Sequence, residues 1–233
     1  MTAASSASAS SGAADSTANA IPWTRKYSEL AQADVRAVAN EVLSNDQAKV
    51  YDTSVEAEFD ACKIRYVGTA TGGGGFTTNG TATLTCTSVL NSYHVRTIVD
   101  YMFQTMKCDP WDGDNYMSVC SVNAMRGLYD DLEPVMQYTK FPQTGEIGKY
   151  YECRFTKTNH AVSNAMGASS AYGEAYFFGG KTVMRGIAAA MKVIPKEETD
   201  FTRSRGLAWY AIEGFKIIFA NSPQNTIVKY CSA

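Results

Sequence analysis

Residues 34–62 form a stretch of about 29 residues that contains neither glycine nor proline. Apolar side chains recur in it at steps of three and four, the spacing of one face of an α-helix. They are Val35, Ala39, Val42, Ala48, Tyr51, Val55, Phe59 and Cys62. Helices in globular proteins average about 11–12 residues, so a helix of this length is unusual. We predict a spine helix on which other elements lie, with a rotation of its buried face at 44–47.

The chain after this helix mixes shorter helical patterns with strand patterns, and it contains no internal repeat. We predict a glycine-rich loop at 68–80, a strand at 81–86, a helix from about Ser88, a buried strand at 116–121, a helix within 123–136 that ends at or before Pro134, a strand at about 149–156, a hairpin at 174–188 that turns at Gly179–Gly180, and two strands at 207–220 and 226–232 separated by a turn. This mixture predicts an α+β fold.

The first 20 residues are of low complexity, with eight Ala, six Ser and one charged side chain. Such a segment buries too little apolar surface to offset the entropy lost on ordering. We predict a flexible arm, with ordered packing from about Ile21. The segment also lacks the basic and apolar regions of a secretory signal, so none is expected.

The charge of the chain argues against a protein that holds nucleic acid by phosphate neutralisation. The formal net charge is −2, and no four basic residues follow one another. Charged residues make up 19% of the chain, against about 25% in typical soluble domains, and there are 14 tyrosines. Few charges and many tyrosines are typical of surfaces covered by partner subunits, although a large ordinary core gives the same composition. No apolar run approaches 18 residues, so no membrane span is predicted.

Residues 145–161, GEIGKYYECRFTKTNHA, contain an acid, a thiol and an imidazole in Glu146, Cys153 and His160. A thiolate–imidazolium pair is a known nucleophile, and His94 is the other histidine of the chain. However, seven residues of strand between Cys153 and His160 span roughly 23 Å. We interpret this stretch as a turn followed by a strand, with a Cys/His hydrolase as an alternative function.

Two further segments invite a binding interpretation. The glycines at 72–75 are followed by Phe76 and two threonines, whereas a phosphate-binding loop requires a lysine there. The acids Asp109, Asp112 and Asp114 resemble a calcium loop, but position twelve counted from Asp112 is Asn123 rather than glutamate. We therefore predict a glycine loop and an Asp-Gly turn.

Six cysteines are spread along the chain at positions 62, 86, 108, 120, 153 and 231. No two of them have the spacing of a local zinc site. We predict reduced, buried thiols.

Four segments occur in an order that resembles the major capsid proteins of tailed bacteriophages, in the group whose type is coliphage N-four. They are LSNDQAKVYDT (43–53), DGDNYMSVCSVNAMRGLYDD (112–131), GEIGKYYECRFTKTNHA (145–161) and RGLAWYAIEGFKIIFA (205–220). The resemblance covers about residues 35–233. It implies the Hong Kong 97-type phage capsid fold, which has a peripheral domain with a long spine helix and an axial domain that meets its neighbours at the capsomer centre.

The resemblance also implies a division of the chain. Residues 1–33 would form an arm with a reduced extended loop, and 34–86 the peripheral domain with its spine helix. Residues 87–204 would form the axial domain, and 205–233 would return to the peripheral domain. The loop at Thr158–Ser170 would lie near the capsomer axis.

The implied function is structural. The chain would assemble with itself into pentamers and hexamers of an icosahedral shell that encloses double-stranded DNA, held non-specifically. Scaffolding, portal and decoration proteins would be further partners, the location would be the virion, and no catalytic residue, cofactor, metal or membrane contact is implied. The expected subunit-contact residues are Trp23, Tyr27, Thr158, Asn159 and His160.

One feature departs from the family pattern. Members carry a longer arm and an extended hairpin before the spine helix, which laps over a neighbouring subunit. Here we expect that hairpin to be reduced to IPWTRKYSEL (21–30) or to be missing. A cellular nanocompartment shell of the same fold is the alternative within the structural class.

Overall fold

The computed structural model describes residues 15–31, 33–136, 146–160, 162–197, 203–218 and 226–232. The chain forms two compact units. The first contains the described residues up to Ser54 together with Arg185–Lys216, and the second contains Val55–Met184 and the described residues from Ile217 onward. The predicted segment 34–86 thus contributes residues to both units. The assignment of peripheral and axial domains stays a prediction.

The first unit is built on a three-stranded sheet and one face of a long helix. Its elements are β1 (Asp15–Thr24), α1 (Arg25–Leu30), the first part of α2 (Val35–Asp60), most of β8 (Val183–Pro195) and most of β9 (Ser204–Ile217). The strand order is β1-β9-β8, and β1 runs antiparallel to β9 from the pair Asp15↔Glu213 to the pair Thr24↔Ser204. The central strand β9 alternates buried and half-buried residues, as expected for a sheet covered on one face.

Helix α2 confirms the predicted spine helix, since it spans Val35–Asp60. Asp34 caps its start, where the Oδ1 atom accepts a hydrogen bond from the Arg36 amide at 2.9 Å. Ala39 and Leu43 are buried, whereas Val42 is half exposed, so the buried stripe lies one residue from the predicted one. Val50, seven residues after Leu43, packs against the same cluster. The buried face therefore passes 44–47 without the predicted rotation.

The predicted flexible arm is wrong for residues 15–20, which belong to strand β1. Residues 1–14 lie outside the described part of the chain. The backbone of β1 pairs with β9 along its full length, and those hydrogen bonds order small side chains that contribute little burial. Residues 21–30 do not form the expected reduced hairpin, because the segment contains the end of β1 and helix α1, and the alternative that the hairpin is missing stays a prediction.

The second unit surrounds a seven-stranded sheet. Its remaining elements are β2 (Arg65–Ala70), β3 (Gly73–Thr77), α3 (Ser92–Tyr101), a π-helical turn (Met102–Met106), β4 (Tyr116–Cys120), α4 (Val122–Met136), β5 (Glu146–Tyr150), β6 (Cys153–Lys157), a 3₁₀ turn (Ala168–Ser170), β7 (Ala175–Phe178) and β10 (Ile227–Tyr230). The strand order is β3-β2-β10-β7-β4-β6-β5. Strand β10 lies between β2 and β7, and it runs parallel to β2 and antiparallel to β7.

The predicted glycine-rich loop at 68–80 is wrong, because its residues form most of the β2–β3 hairpin. The Tyr66 ring lies so close to Gly74 that a Cβ atom there would collide with it. Glycine in a strand often marks such a close approach, which the sequence does not distinguish from a loop. The predicted strand at 81–86 is also wrong, since these residues form no helix or strand.

The predicted hairpin at 174–188 is wrong as well. β7 pairs with β10 and β4, whereas β8 lies beside β9 in the other sheet. Gly179 and Gly180 are held instead by long-range bonds, in which their amides donate to the carbonyls of Thr226 and Asp109 at 3.2 and 2.8 Å. The glycine pair therefore marks a close passage of two chain segments rather than a hairpin turn.

Residues 146–157 contain two strands, where one was predicted at about 149–156. β5 and β6 are antiparallel and joined by Tyr151 and Glu152, both with positive φ (45° and 59°). Positive φ at both central residues matches the twist of a hairpin, although glycine or asparagine usually occupies such sites. The sequence therefore contains no turn residue that would have revealed it. Helix α4 also continues past Pro134 to Met136, against the predicted end.

The other predicted elements agree with the structure. These are the helix after Ser88, the strand at 116–121, and the final strands, seen as β9 and β10. The predicted turn at 221–223 lies outside the described residues.

Candidate functional site

Cys153, the predicted nucleophile of the alternative hydrolase, lies in β6 and is fully buried. Burial, with a smaller effect from the neighbouring Cys120 thiol, raises the pKa of Cys153 well above its ordinary value. Because the thiolate is the reactive form of cysteine, this thiol is not activated. Glu146 is the first residue of β5, where its backbone pairs with Thr156.

His160 lies in the loop after β6, next to Thr158 and Asn159. Its amide donates to Thr158 Oγ1 at 3.2 Å, and that hydroxyl donates to the His160 carbonyl at 3.1 Å. The Thr158 amide donates to the Cys120 carbonyl at 3.0 Å, which ties the loop to the end of β4. Asn159 is exposed, while Thr158 and His160 are half-buried. The loop is thus ordered by its own hydrogen bonds, and its role in subunit contact stays a prediction.

His94 is fully buried in helix α3. Its Nδ1 atom lies 3.0 Å from Tyr66 Oη, and its Nε2 atom lies 3.3 Å from Ser88 Oγ. Burial lowers the pKa of His94 to about 4, although the carboxylate of Asp131 acts in the opposite direction. The ring is therefore neutral at physiological pH and acts as a polar member of the core.

The lowered pKa of His94 predicts a loss of stability in mild acid. In the unfolded chain the imidazole takes up a proton near pH 6.5, whereas in the folded chain it does so near pH 4. Stability should therefore fall as pH falls from 6.5 to 4, by up to about 3 kcal/mol from this group. We expect His94→Gln to lose less stability than the unmodified chain between pH 7 and pH 4.5 in urea denaturation. Identical pH dependence in the two proteins would contradict this expectation.

The acidic segment 109–114 forms a turn. Asp112 and Asn115 pair through their backbones around Gly113, whose φ is +58°. The Asp112 carboxylate lies 3.1 Å from the Arg154 guanidinium. This confirms the predicted Asp-Gly turn. Within the described residues, no three His, Cys, Asp or Glu side chains are grouped so that they could hold a metal.

All six cysteines are described, and all are buried free thiols, as predicted. The hydrogen bond from the Cys231 thiol lowers the pKa of Cys86, and the same contact raises the pKa of Cys231. None of the helices in the described part of the chain is long and apolar enough to cross a membrane.

A buried ion cluster in the second unit joins β10, β7 with the residue that precedes it, and the end of α2. Lys229 of β10, only 5% exposed, lies 2.5 Å from Glu174 Oε1 and is paired with Asp60. Glu174 also accepts hydrogen bonds from the Tyr176 hydroxyl at 2.5 Å and from the Ser163 amide at 2.9 Å. Burial alone would lower the pKa of Lys229, but its bonds to Asp60 and Glu174 raise it. Lys229 is therefore protonated at neutral pH, and it ties β10 to the end of α2 and to the residue before β7.

A groove in the first unit runs between β1, α1 and α2, with a volume of about 450 Å³. Its walls are largely apolar and include Ile21, Trp23, Tyr27, Val38 and Val42. Tyr27 is 61% exposed, and Val38 and Val42 are each about half exposed. Trp23 is half-buried against the core cluster of this unit. Two of the predicted contact residues, Trp23 and Tyr27, thus line one apolar groove.

Strand β8 is exposed on both of its faces. Five of its large apolar side chains are between 39% and 62% exposed, and they are Met184, Ile187, Met191, Val193 and Ile194. β8 is an edge of the three-stranded sheet, with no strand on its outer side among the described residues. The hairpin predicted at 174–188 covered only the first part of this strand, and the sequence does not distinguish an exposed apolar edge from a buried one.

Among solved structures, the fold of this chain is similar to those of phage capsid and head proteins. The chain superposes on the cyanophage Pam1 capsid with a TM-score of 0.70 and 13% identity, covering 92% of this chain and 73% of that chain. It superposes on the capsid of Ralstonia phage GP4 with a TM-score of 0.67 and 14% identity, covering 93% of this chain and 73% of that chain. It superposes on the head structure of Helicobacter pylori bacteriophage KHP40 with a TM-score of 0.65 and 11% identity, covering 94% of this chain and 73% of that chain. No protein-family model matches the chain, and no curated protein matches it in sequence.

These likenesses extend over both units, since they cover more than nine tenths of the chain. The mixed helices and strands and the long helix α2 agree with the fold that the sequence resemblance implied. The more specific kinship with the coliphage N-four group stays a prediction. The chain has the Hong Kong 97-type fold of phage capsid proteins.

Proposed function

We propose that this chain is a major capsid protein, which assembles into pentamers and hexamers of an icosahedral shell around double-stranded DNA. The observation that carries the proposal is the likeness to the Pam1 capsid over 92% of the chain. The three structures named above come from phages, which favours a phage shell over a cellular nanocompartment. The buried and unactivated Cys153 argues against the Cys/His hydrolase.

The exposed apolar surfaces support an assembly role. The groove between β1, α1 and α2 and most of the edge strand β8 lie in the first unit. Monomeric proteins rarely leave extended apolar surfaces uncovered, so such surfaces often mark contact sites. In a shell, each contact can be weak because many identical contacts act together.

The two units suggest how the chain would be arranged in such a shell. We assign the first unit, which contains the start of the spine helix, to the peripheral domain, and the second unit to the axial domain. The loop at Thr158–Ser170 would then lie at the capsomer axis, with Thr158, Asn159 and His160 near neighbouring copies. Scaffolding, portal and decoration proteins would be further partners, and the location would be the virion after assembly in the host cytoplasm. The packaged DNA would be held without sequence specificity, in keeping with the net charge of −2.

Electron microscopy tests the proposal directly. The purified chain, alone and co-expressed with other virion proteins, is expected to form capsomers or closed shells. Monodisperse monomers under every condition, including co-expression, would overturn the proposal. Shells that package a host enzyme and no DNA would identify a nanocompartment instead.

A further inference from the structure

The sequence of strand β8 is close to symmetric about Ala189. In VMRGIAAAMKVIP (183–195), Ile187 and Met191 lie two residues on either side of Ala189, and Met184 and Ile194 lie five residues on either side. Ala188 and Ala190 flank the centre. Two antiparallel copies of this strand, aligned at Ala189, would therefore place apolar side chains opposite apolar side chains.

We propose that β8 is a two-fold contact between two copies of this chain, in which the two edges pair antiparallel with Ala189 opposite Ala189. The inference rests on the proposed shell function, which supplies many copies of the chain. The pairing would join two three-stranded sheets into one of six strands. The main-chain groups on the outer side of β8 would become hydrogen-bonded, which is the usual way in which an exposed strand edge recruits a partner.

The register is consistent on both faces of the sheet. Side chains alternate between faces along a strand, and residues directly opposite each other share a face. Ile187 would face Met191 of the second copy on one side, and Met184 would face Ile194 on the other. Each of these pairs would occur twice, because the contact is symmetric. The exposed apolar side chains of the strand would thereby be covered from the side.

The charges of the strand agree with the same register. Lys192 would lie opposite Gly186, and Arg185 would lie opposite Val193, so no two like charges face each other. The Arg185 guanidinium is also held within its own chain by Glu213, at 2.6 Å. A shift of one copy by one residue would instead bring Arg185 opposite Lys192, and shifts by six or eight residues would bring Lys192 opposite Lys192 or Arg185 opposite Arg185. The apolar pattern thus favours Ala189 as the centre, and the charges are compatible with that register.

A cysteine scan at the centre tests the contact. Directly opposite residues of antiparallel strands have Cα atoms about 4.5–5.5 Å apart, within the range of a disulfide bond. In Ala189→Cys, the two new thiols would be directly opposite. In the matched controls Ala188→Cys and Ala190→Cys, they would be diagonal neighbours, roughly 7–8 Å apart. The native thiols are buried, so they give little background.

We expect copper–phenanthroline to convert most of the assembled Ala189→Cys chain into disulfide dimers on a non-reducing gel. The two controls should give at least several-fold less dimer. Equal cross-linking of the three variants, or none in any of them, would overturn the β8 contact. Shells without the Ala189→Cys cross-link would leave the proposed function standing, whereas cross-linked dimers without shells would leave only the β8 contact standing.

Paired charges give an independent test at the exposed positions 187 and 191. In Ile187→Glu/Met191→Lys, the register sets each glutamate opposite a lysine of the second copy. In Ile187→Lys/Met191→Lys, it sets lysine opposite lysine. We expect the first variant to associate as the unmodified chain does in sedimentation, and the second to lose association at least tenfold. Equal behaviour of the two variants would overturn the register even if Ala189→Cys failed to fold.

Discussion

Replacing Lys229 with methionine is expected to lower the free energy of unfolding by about 3–5 kcal/mol. The Lys229 ammonium is buried, and it neutralises Glu174, which is itself buried. Without the lysine, the Glu174 carboxylate would remain in the interior, and its hydrogen-bond donors among the described residues would be the Tyr176 hydroxyl and the Ser163 amide. The cost of an uncompensated buried charge is much larger than the net value of a surface ion pair. The ion pair with Asp60 contributes less to the expected loss of stability, because the Asp60 side chain is half exposed.

Urea denaturation, followed by circular dichroism, measures this effect. The matched control is Lys157→Met at the exposed end of β6, where a change below about 0.5 kcal/mol is expected. The double variant Lys229→Met/Glu174→Gln should recover part of the loss, because it removes the orphaned charge. If Lys229→Met were no more harmful than Lys157→Met, the cluster would not contribute to stability.

Replacing Trp209 with alanine is expected to cost about 3–5 kcal/mol in the stability of the first unit. Trp209 is 1% exposed in the middle of β9, and it packs with Ala39 and Leu43 of α2. Its Nε1–H donates to Asp46 Oδ2 at 3.0 Å, and its ring meets the edge of Tyr51. Only five buried apolar residues make up this cluster among the described residues, so the loss of one indole removes a large share of it.

Hydrogen exchange of the β1 amides is a suitable measurement, because β1 is held by β9 and exchange reports local opening. Trp209→Ala should speed that exchange strongly, whereas Trp111→Ala, at an exposed turn, should leave it unchanged. Trp209→Phe keeps most of the packing and loses the hydrogen bond, so its cost should be nearer 1 kcal/mol. Protection of β1 that is equal in Trp209→Ala and Trp111→Ala would show that the cluster does not hold the strand.

Much of the fold could be predicted from the sequence where a local pattern decides the structure. Helix α2 was predictable because its side chains recur at helical spacing over many turns without a breaker. The Asp-Gly turn at 112–113 was predictable because glycine readily adopts the positive φ that the turn requires. The ordered segments resembling capsid proteins identified the fold, which the structural comparison confirms.

The elements that were missed depend on partners distant in sequence. The glycines of β3 resemble a loop until the Tyr66 ring is seen against Gly74. The hairpin turn at Tyr151 and Glu152 uses two residues that seldom adopt positive φ, and it is held in place by its neighbours. For example, the Tyr151 hydroxyl donates a hydrogen bond to the Asp100 carboxylate at 2.9 Å. Local preference was overridden at both sites by long-range packing.

Cys153, residues 15–20 and strand β8 separate what the sequence determined from what only the tertiary structure decided. The sequence alone determined that Cys153 lies in a strand and that a long helix begins near residue 35. Its ordered motifs also pointed to a capsid-type fold. Only the tertiary structure decided that Cys153 is buried without activation, that residues 15–20 are ordered by pairing with β9, and that the apolar side chains of β8 are exposed. The reason is physical: periodicity records which residues share a face, whereas burial depends on what the rest of the chain places against that face.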